Sequence, residues 1–340
     1  MVHLRIVVPG DLSKRVFELL DHTPSVCNLI YLEGAARRPQ GDVILCDVAR
    51  EDASIVISDL RELRIHERGS IALEDIDSQV SDAAVRAEKY AVGLPSDAVV
   101  WEEVESRTSE DVELSASFLA FMVLAVMIAA VGILTDQIIL IIGAMVVGPE
   151  FGPIAALSVA AVERRADLAK RSFIALAIGF PAGITAAFLG TALLDALGRI
   201  PGDFAQQGHP FTDFISRPDE FSVIVALLAG FAGVLSLTNA KSGALVGVLI
   251  SVTTIPAAAN IAVAAALGDG EEWVGAMQQL ALNLGAIFLA CIGTLYLQRR
   301  LYLRRRAAHL DSPGRREAGL PPDRAQRRAG EASTVGGSDD

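Results

Sequence analysis

The chain has 340 residues, of which 52% are hydrophobic and only 6% aromatic, and its mean hydropathy is +0.43. That is too apolar for an average soluble enzyme, and because the apolar residues gather after residue 114, a soluble amino-terminal part and a membrane part are expected. The net charge of −12 sums an acidic front half with an arginine-rich tail and, with no basic patch interleaved by aromatics, gives no case for a nucleic-acid partner.

Residues 3–8, HLRIVV, form a β-branched run that Pro9-Gly10-Asp11 ends, after which Leu12, Val16, Leu19 and Leu20 share one helical face. VCNLIYLEG and DVILCDVA read as strands on either side of a turn at 37–41. A second helix over 51–65 is expected to bury Ala53, Val56, Ile57, Leu60 and Arg64, and HERGSIALEDI closes the series as a strand. This βαββαβ order over residues 1–78 resembles the ferredoxin-like fold and, within it, small cytoplasmic modules that sense amino acids. A fold by itself assigns no ligand. The Pro9 to Ser13 turn offers helix-start amides to an anion, and it is equally ordinary helix-start chemistry in a module that only pairs protomers.

Residues 79–114 change to an acidic, helical composition and are expected to be a linker, with a boundary at Gly93-Leu94-Pro95. Trp101 there reads either as an interfacial anchor or as a packed aromatic. Cys27, Cys46 and Cys291 show no CxxC spacing, so reduced thiols are expected. The start MVHLRIVVPGD lacks a signal-peptide pattern, which leaves insertion to the first transmembrane helix.

Six apolar runs follow, at 116–134, 137–162, 172–197, 221–237, 243–267 and 273–297, each near the roughly 20 residues a bilayer requires. Basic residues Arg164, Arg165, Lys170 and Arg171 follow the second run, Lys241 follows the fourth, and Arg299, Arg300 and Arg304 to Arg306 follow the sixth. The loop at 199–220 and the GDGEEW before the sixth run are acidic. Basic loops stay inside, so both termini are expected in the cytoplasm of a multi-pass inner-membrane protein. The tail, 299–340, is basic and rich in proline and glycine, and is expected to be disordered.

The second run holds Gly148, Pro149, Glu150, Phe151, Gly152 and Pro153 near its midpoint. Each proline removes a donor and clashes one turn back, so this span reads as a broken helix. The surrounding IIGAMVVGPEFGPIAAL resembles the signature of an uncharacterised polytopic membrane-protein family of bacteria and archaea, with the likeness running over about 114–297. That resemblance implies a polytopic fold and no particular activity. The family's pattern has a double proline in the fifth run, where this chain has Ile255-Pro256-Ala257.

An offset of 103 residues pairs Phe118 with Phe221, Leu134 with Leu237 and Pro153 with Pro256. Three spans repeated with odd parity imply a 3+3 inverted repeat with broken second and fifth helices. If those helices cross at the midplane, their restarting halves present amides and their preceding halves carbonyls, a place for an anionic group or for a cation beside Glu150. Glu150 is the one acid deep in any span, and reads as a coupling carboxylate or as a cap on the restarting helix. Thr253, Thr254 and Asn260 are the matching polar groups, each with a purely intrahelical alternative. Gln278, Gln279 and Asn283 in the last span suit helix-to-helix hydrogen bonding; Asp136 and Asn239 suit turn capping, and glycines such as Gly179 and Gly183 suit close packing.

No HExxH, GxSxG, P-loop or cysteine-histidine cluster occurs, so no cofactor, metal or enzymatic activity is expected. The expected function is a secondary transporter or channel-like permease for a small solute or ion, homo-oligomeric in the bilayer. The alternative is a membrane-anchored sensor or scaffold.

Overall fold

The computed structural model describes residues 1–76, 78–91, 98–110, 112–201, 220–238, 245–310 and 312–320, with 110 and 245–253 described by backbone alone. The chain forms two compact units: Met1–Glu103 with Thr238–Ala240 and Gln298–Asp340, and Val104–Leu237 with Lys241–Leu297.

The first unit is built on strands β1 (Val2–Val8), β2 (Val26–Arg37), β3 (Gln40–Val48) and β4 (Ser70–Asp75), antiparallel in the order β2-β3-β1-β4. Helices α1 (Ser13–Asp21), α2 (Arg50–Glu62) and the single turn α3 (Ile65–Arg68) connect them. Alternation decides the faces: Val2, Leu4, Ile6 and Val8 of β1 and Ile44, Cys46 and Val48 of β3 join Leu19 and Leu20 of α1 and Val56, Ile57 and Leu60 of α2 in one core. The strand-helix-strand-strand-helix-strand order is as expected, with two differences in extent. β2 and β3 run on into a hairpin, with irregular register at Cys27/Ile30 and Leu32/Ala36. Arg64, with φ of 57°, ends the second helix early, so Arg64 is exposed and Leu63 buried. The residues next after it wind into α3 instead of extending β4. Gly69 then lies where a Cβ would stand 2.0 Å from the Val7 carbonyl oxygen, a contact only glycine permits.

Helices α4 (Asp82–Tyr90) and α5 (Trp101–Glu110) occupy the acidic stretch. Trp101 is packed, not an anchor: it is buried, with the Arg299 guanidinium 4.9 Å from its ring centroid.

The second unit comprises α6 (Ala116–Leu134), α7 (Ile138–Val147), α8 (Phe151–Glu163), α9 (Ala166–Ala196), α10 (Glu220–Thr238), α11 (Leu245–Leu267) and the first part of α12 (Gly270–His309). Among the described residues four helices, α6, α9, α10 and α12, are long and apolar enough to cross a membrane, and α7 with α8 makes a fifth if counted as one bent span. The described side chains of α11 cover Thr254–Leu267, apolar but shorter than a span. Six crossings were expected; length and composition support four or five. Ile139, Val146, Phe173 and Leu189 stand exposed on these helices, the distribution of a chain embedded in lipid. Gly183 and Gly179 let α6 and α9 approach, since a Cβ at Gly183 would lie 2.7 Å from Val126 Cγ2.

The basic tail departs from expectation. Residues 299–309 continue α12, and α13 (Pro313–Glu317) follows, while 321–340 lie outside the described residues. Its bases have partners on α2. Arg315 Nη2 donates to Glu62 Oε2 at 3.0 Å and Nη1 to Asp59 Oδ1, Arg306 Nη2 donates to Glu62 Oε1 at 2.7 Å, and His309 Nε2 sits 3.1 Å from Asp59 Oδ2. Ala318 and Leu320 enter the same apolar core as the strands. Burial of that short apolar end, with the ion pairs, orders a segment whose composition alone suggests none.

Candidate functional site

The site starts from the end of α6. Thr135 and Asp136, the latter at φ of 48°, turn the chain so that the Gln137 amide donates to Gly132 O at 2.8 Å, and α7 begins. Gly132 admits α7 closely, for a Cβ there would lie 2.7 Å from Ile141 Cγ1. Asp136 thus serves the turn, while Asn239 and Lys241 lie outside the described residues.

α7 stops after Val147, where Gly148 is extended, and α8 restarts at Phe151 with a bend of 51° between them. The break expected from sequence in the second apolar run is present. Pro149 falls between the helices, where no intrahelical donor is required, and Pro153 falls in the first turn of α8, whose amides have no partner inside the helix anyway.

Glu150 stands at the N-cap of α8 and is fully buried, yet its side chain makes no capping hydrogen bond. Its Oε1 instead accepts from Thr254 Oγ1 of α11 at 2.8 Å. The capping alternative is therefore not the one adopted. Gly148 provides the room: a Cβ there would lie 2.4 Å from Glu150 Oε2 and 2.9 Å from Ile255 Cγ1. Glycine and carboxylate are in this sense one feature of the sequence.

The fifth helix is a correction. α11 is continuous with Pro256 inside it, so the expected second break is absent and the two halves paired by the offset of 103 do not share it. The reason is local: the second run has two prolines and two glycines in six residues, whereas Pro256 stands alone between Ile255 and Ala257 and removes one hydrogen bond. Pro153 and Pro256 hold different positions, first turn and helix interior.

Of the other expected residues, Phe151 and Gly152 are half-buried and Pro153 is buried at the start of α8. The side chain of Thr253 lies outside the described residues. Asn260 does not join Glu150. Its Nδ2 donates to Glu272 Oε2 at 3.0 Å, near the turn where Asp269 Oδ1 accepts from the Glu272 amide at 3.1 Å. Gln279 and Asn283 are buried on α12, whereas Gln278 is exposed. The Gln279 Oε1 atom has no hydrogen-bond partner among the described residues. An open apolar groove of about 460 Å³ lies beside this region, with Ile154 and Leu157 of α8, Phe180 of α9, and Leu280 and Leu284 of α12 in its walls. Among the described residues no group of three His, Cys, Asp or Glu side chains is placed to hold a metal ion.

The arrangement is a buried carboxylate at a helix break, held by a hydroxyl from a facing helix inside an otherwise apolar unit. Residues 145–289 match the family model described as Domain of unknown function (DUF389). The matched stretch contains the break at Gly148 to Glu150, α8, Thr254 and Gln279, and the resemblance read from IIGAMVVGPEFGPIAAL is borne out at the level of a domain of unknown function. The chain is also similar to an uncharacterized protein of Methanocaldococcus jannaschii, 28% identical over 196 residues, which are 57% of this chain. The matched part spans 58% of that relative's length. No solved structure matches.

Proposed function

We propose that this DUF389-containing protein is a permease for a small solute or ion, a transporter or channel rather than an enzyme, with Glu150 as the group that meets the permeating species. One observation carries the reading: a fully buried carboxylate at the break of a bent span, turned away from capping its own helix and toward Thr254. A charge at such depth is costly and is retained where it has a task. The loop charges support an inner-membrane location with both termini cytoplasmic, and the glycine-rich spans support association of copies.

The test is flux in reconstituted vesicles, comparing the wild type with Glu150→Gln against a panel of ions and small solutes. Loss of flux in the variant is expected; equal flux for every member of the panel, protons included, removes the carboxylate's role.

A second reading has its own observation. The first unit, read as ferredoxin-like, carries an open groove of about 720 Å³ walled by Pro9, Gly10, Asp11, Arg37, Asp42 and Arg68. This supports a metabolite-sensing module tethered by the spans. Isothermal titration of the full chain with amino acids and nucleotides tests it, and absence of binding leaves the module an assembly role.

A further inference from the structure

Glu150 is not alone at its depth. Thr254 lies 13 residues before the end of α11 at Leu267, and Asn283 lies 13 residues after the start of α12 at Gly270. At the helical rise per residue, both stand about 20 Å from the turn that joins the two helices. The Asn260 to Glu272 hydrogen bond, one side chain from each helix near that turn, shows that the pair runs back antiparallel from it. Counted from that bond, six residues back along α11 and six onward along α12, Thr254 is level with Gln278, next to Gln279. A separate line brings α12 to the same core, since Ala276 and Leu280, on either side of Gln279, are buried in one cluster with Ile255, next to Thr254, and with Ala144 and Met145 of α7.

The chemistry of the groups is complementary to one kind of ligand. Glu150 provides a carboxylate, Thr254 a hydroxyl oxygen with lone pairs to spare after donating its proton, and Gln279 an amide oxygen that is buried, 6% exposed, and without a partner among the described residues. Oxygen ligands suit hard cations, and a single carboxylate balances a single positive charge, whereas divalent ions are held by several carboxylates or waters. An anion would face the carboxylate and the acceptor face of the amide, and is disfavoured there.

We propose that Glu150, Thr254 and Gln279 bind a monovalent alkali cation within the membrane unit. This rests on the permease reading only for its purpose; the binding itself is separate. A bound cation neutralises the buried carboxylate and satisfies the amide oxygen together, so Gln279 is a ligand in its own right.

The test uses the full-length protein in detergent, measuring the thermal midpoint during titration with NaCl or KCl against choline chloride at constant ionic strength, with radiolabelled Na⁺ binding in parallel. A saturable rise with at least one alkali cation is expected. Glu150→Gln and Gln279→Leu should each weaken the apparent affinity at least tenfold, and Asn260→Leu, outside the cluster, should not. If Gln279→Leu fails to fold, Gln279→Asn, which withdraws the oxygen by one carbon bond, should show the same loss. The inference is overturned by a wild type that responds to neither cation, by one that responds to pH alone, or by a folded Gln279 variant with wild-type affinity. Flux that depends on Glu150 without alkali-cation binding would sink this site and leave the permease; cation binding without any flux would do the reverse.

Discussion

Replacing Asp59 by alanine should release the end of the chain from the first unit. Asp59 and Glu62 sit one turn apart on α2, and each of their four carboxylate oxygens meets a different base contact: Asp59 Oδ1 and Glu62 Oε2 take the two ends of Arg315, Asp59 Oδ2 faces His309, and Glu62 Oε1 accepts from Arg306. Arg315 is fully buried and the Asp59 side chain nearly so. Exposed ion pairs contribute little, but removing one partner of a buried pair costs about 3–5 kcal/mol, an upper bound here because Arg315 keeps Glu62 Oε2. At 1.36 kcal/mol per factor of ten, local opening of α13 becomes more frequent by up to roughly two to four powers of ten. Hydrogen exchange of the full-length protein reads this at Ala318 and Leu320, whose amides donate to Gly314 O at 3.0 Å and Arg315 O at 2.9 Å. Removing both charges together, Asp59→Leu with Arg315→Leu, should restore much of the protection, because no buried charge is then left over. Exchange at these amides within threefold of wild type in Asp59→Ala would refute the reasoning, and would mean that Ala318 and Leu320 hold the tail by apolar burial.

Gly148→Ala should destabilise the membrane unit by about 1–3 kcal/mol, the usual range for overpacking, and should lower Glu150-dependent flux, because the new methyl enters the space of the carboxylate; a thermal midpoint equal to wild type counts against close packing of Glu150 and Ile255 on Gly148. Two carboxylates of the first unit should respond to pH with opposite sign. Burial pushes Glu51 above its ordinary 4.5, with Glu88 and Asp52 adding to it, so its contribution to stability is present below pH 4.5 and lost as pH rises through the folded value; Glu51→Gln should raise the midpoint at pH 7 and not at pH 4. Burial alone would raise Asp47, yet hydrogen bonds from Asn28, His3 and Gln79 hold it below 3.8, so its contribution is present above that value and lost as pH falls through the lower folded one; Asp47→Asn should cost stability at pH 7 and converge on wild type in acid. Burial pushes the Cys46 thiol up to about 12, so Cys46 should resist alkylation at pH 8 until the protein is unfolded, while the half-exposed Cys27 reacts first.

What the sequence made legible was whatever local chemistry decides. Alternation in HLRIVV and DVILCDVA fixed which sides of β1 and β3 face the helices, and two Gly-Pro pairs around Glu150 marked the bend between α7 and α8. The same rule misled at Pro256, where one proline without glycine neighbours lacks the cost to stop a helix. Features made by distant partners were out of reach. Nothing near Arg315 announces Asp59, and a run of arginines with proline and glycine reads as disorder until the carboxylates of α2 are seen beside it. The preference of Glu150 for Thr254 over its own helix is of the same kind, since 104 residues separate them. Gln279 was visible only as one polar residue in an apolar run; a helical wheel of α12 with Ala276, Leu280 and Asn283 on its buried stripe would have turned it inward.

A buried carboxylate kept for function should be a burden on the fold, and this separates the permease reading from a structural one. Taking an ion out of water costs several kcal/mol after relaxation, more than a hydroxyl hydrogen bond such as that from Thr254 returns. Thr254 does not depend on Glu150 for a partner, because a threonine inside a helix can turn its hydroxyl back to a carbonyl one turn earlier. Glu150→Gln, which keeps the shape and sheds the charge, should therefore leave stability unchanged or raise it, by up to about 4 kcal/mol, when measured in choline medium without alkali cations. In saturating alkali chloride the wild type should regain the difference, since the ligand stabilises only the form that binds it. A variant less stable than wild type in both media would mean that the carboxylate holds α8 to α11 and is there for the fold; a variant as stable or more so in choline, and inactive in flux, fits only a charge retained at a cost because something passing through the membrane must meet it.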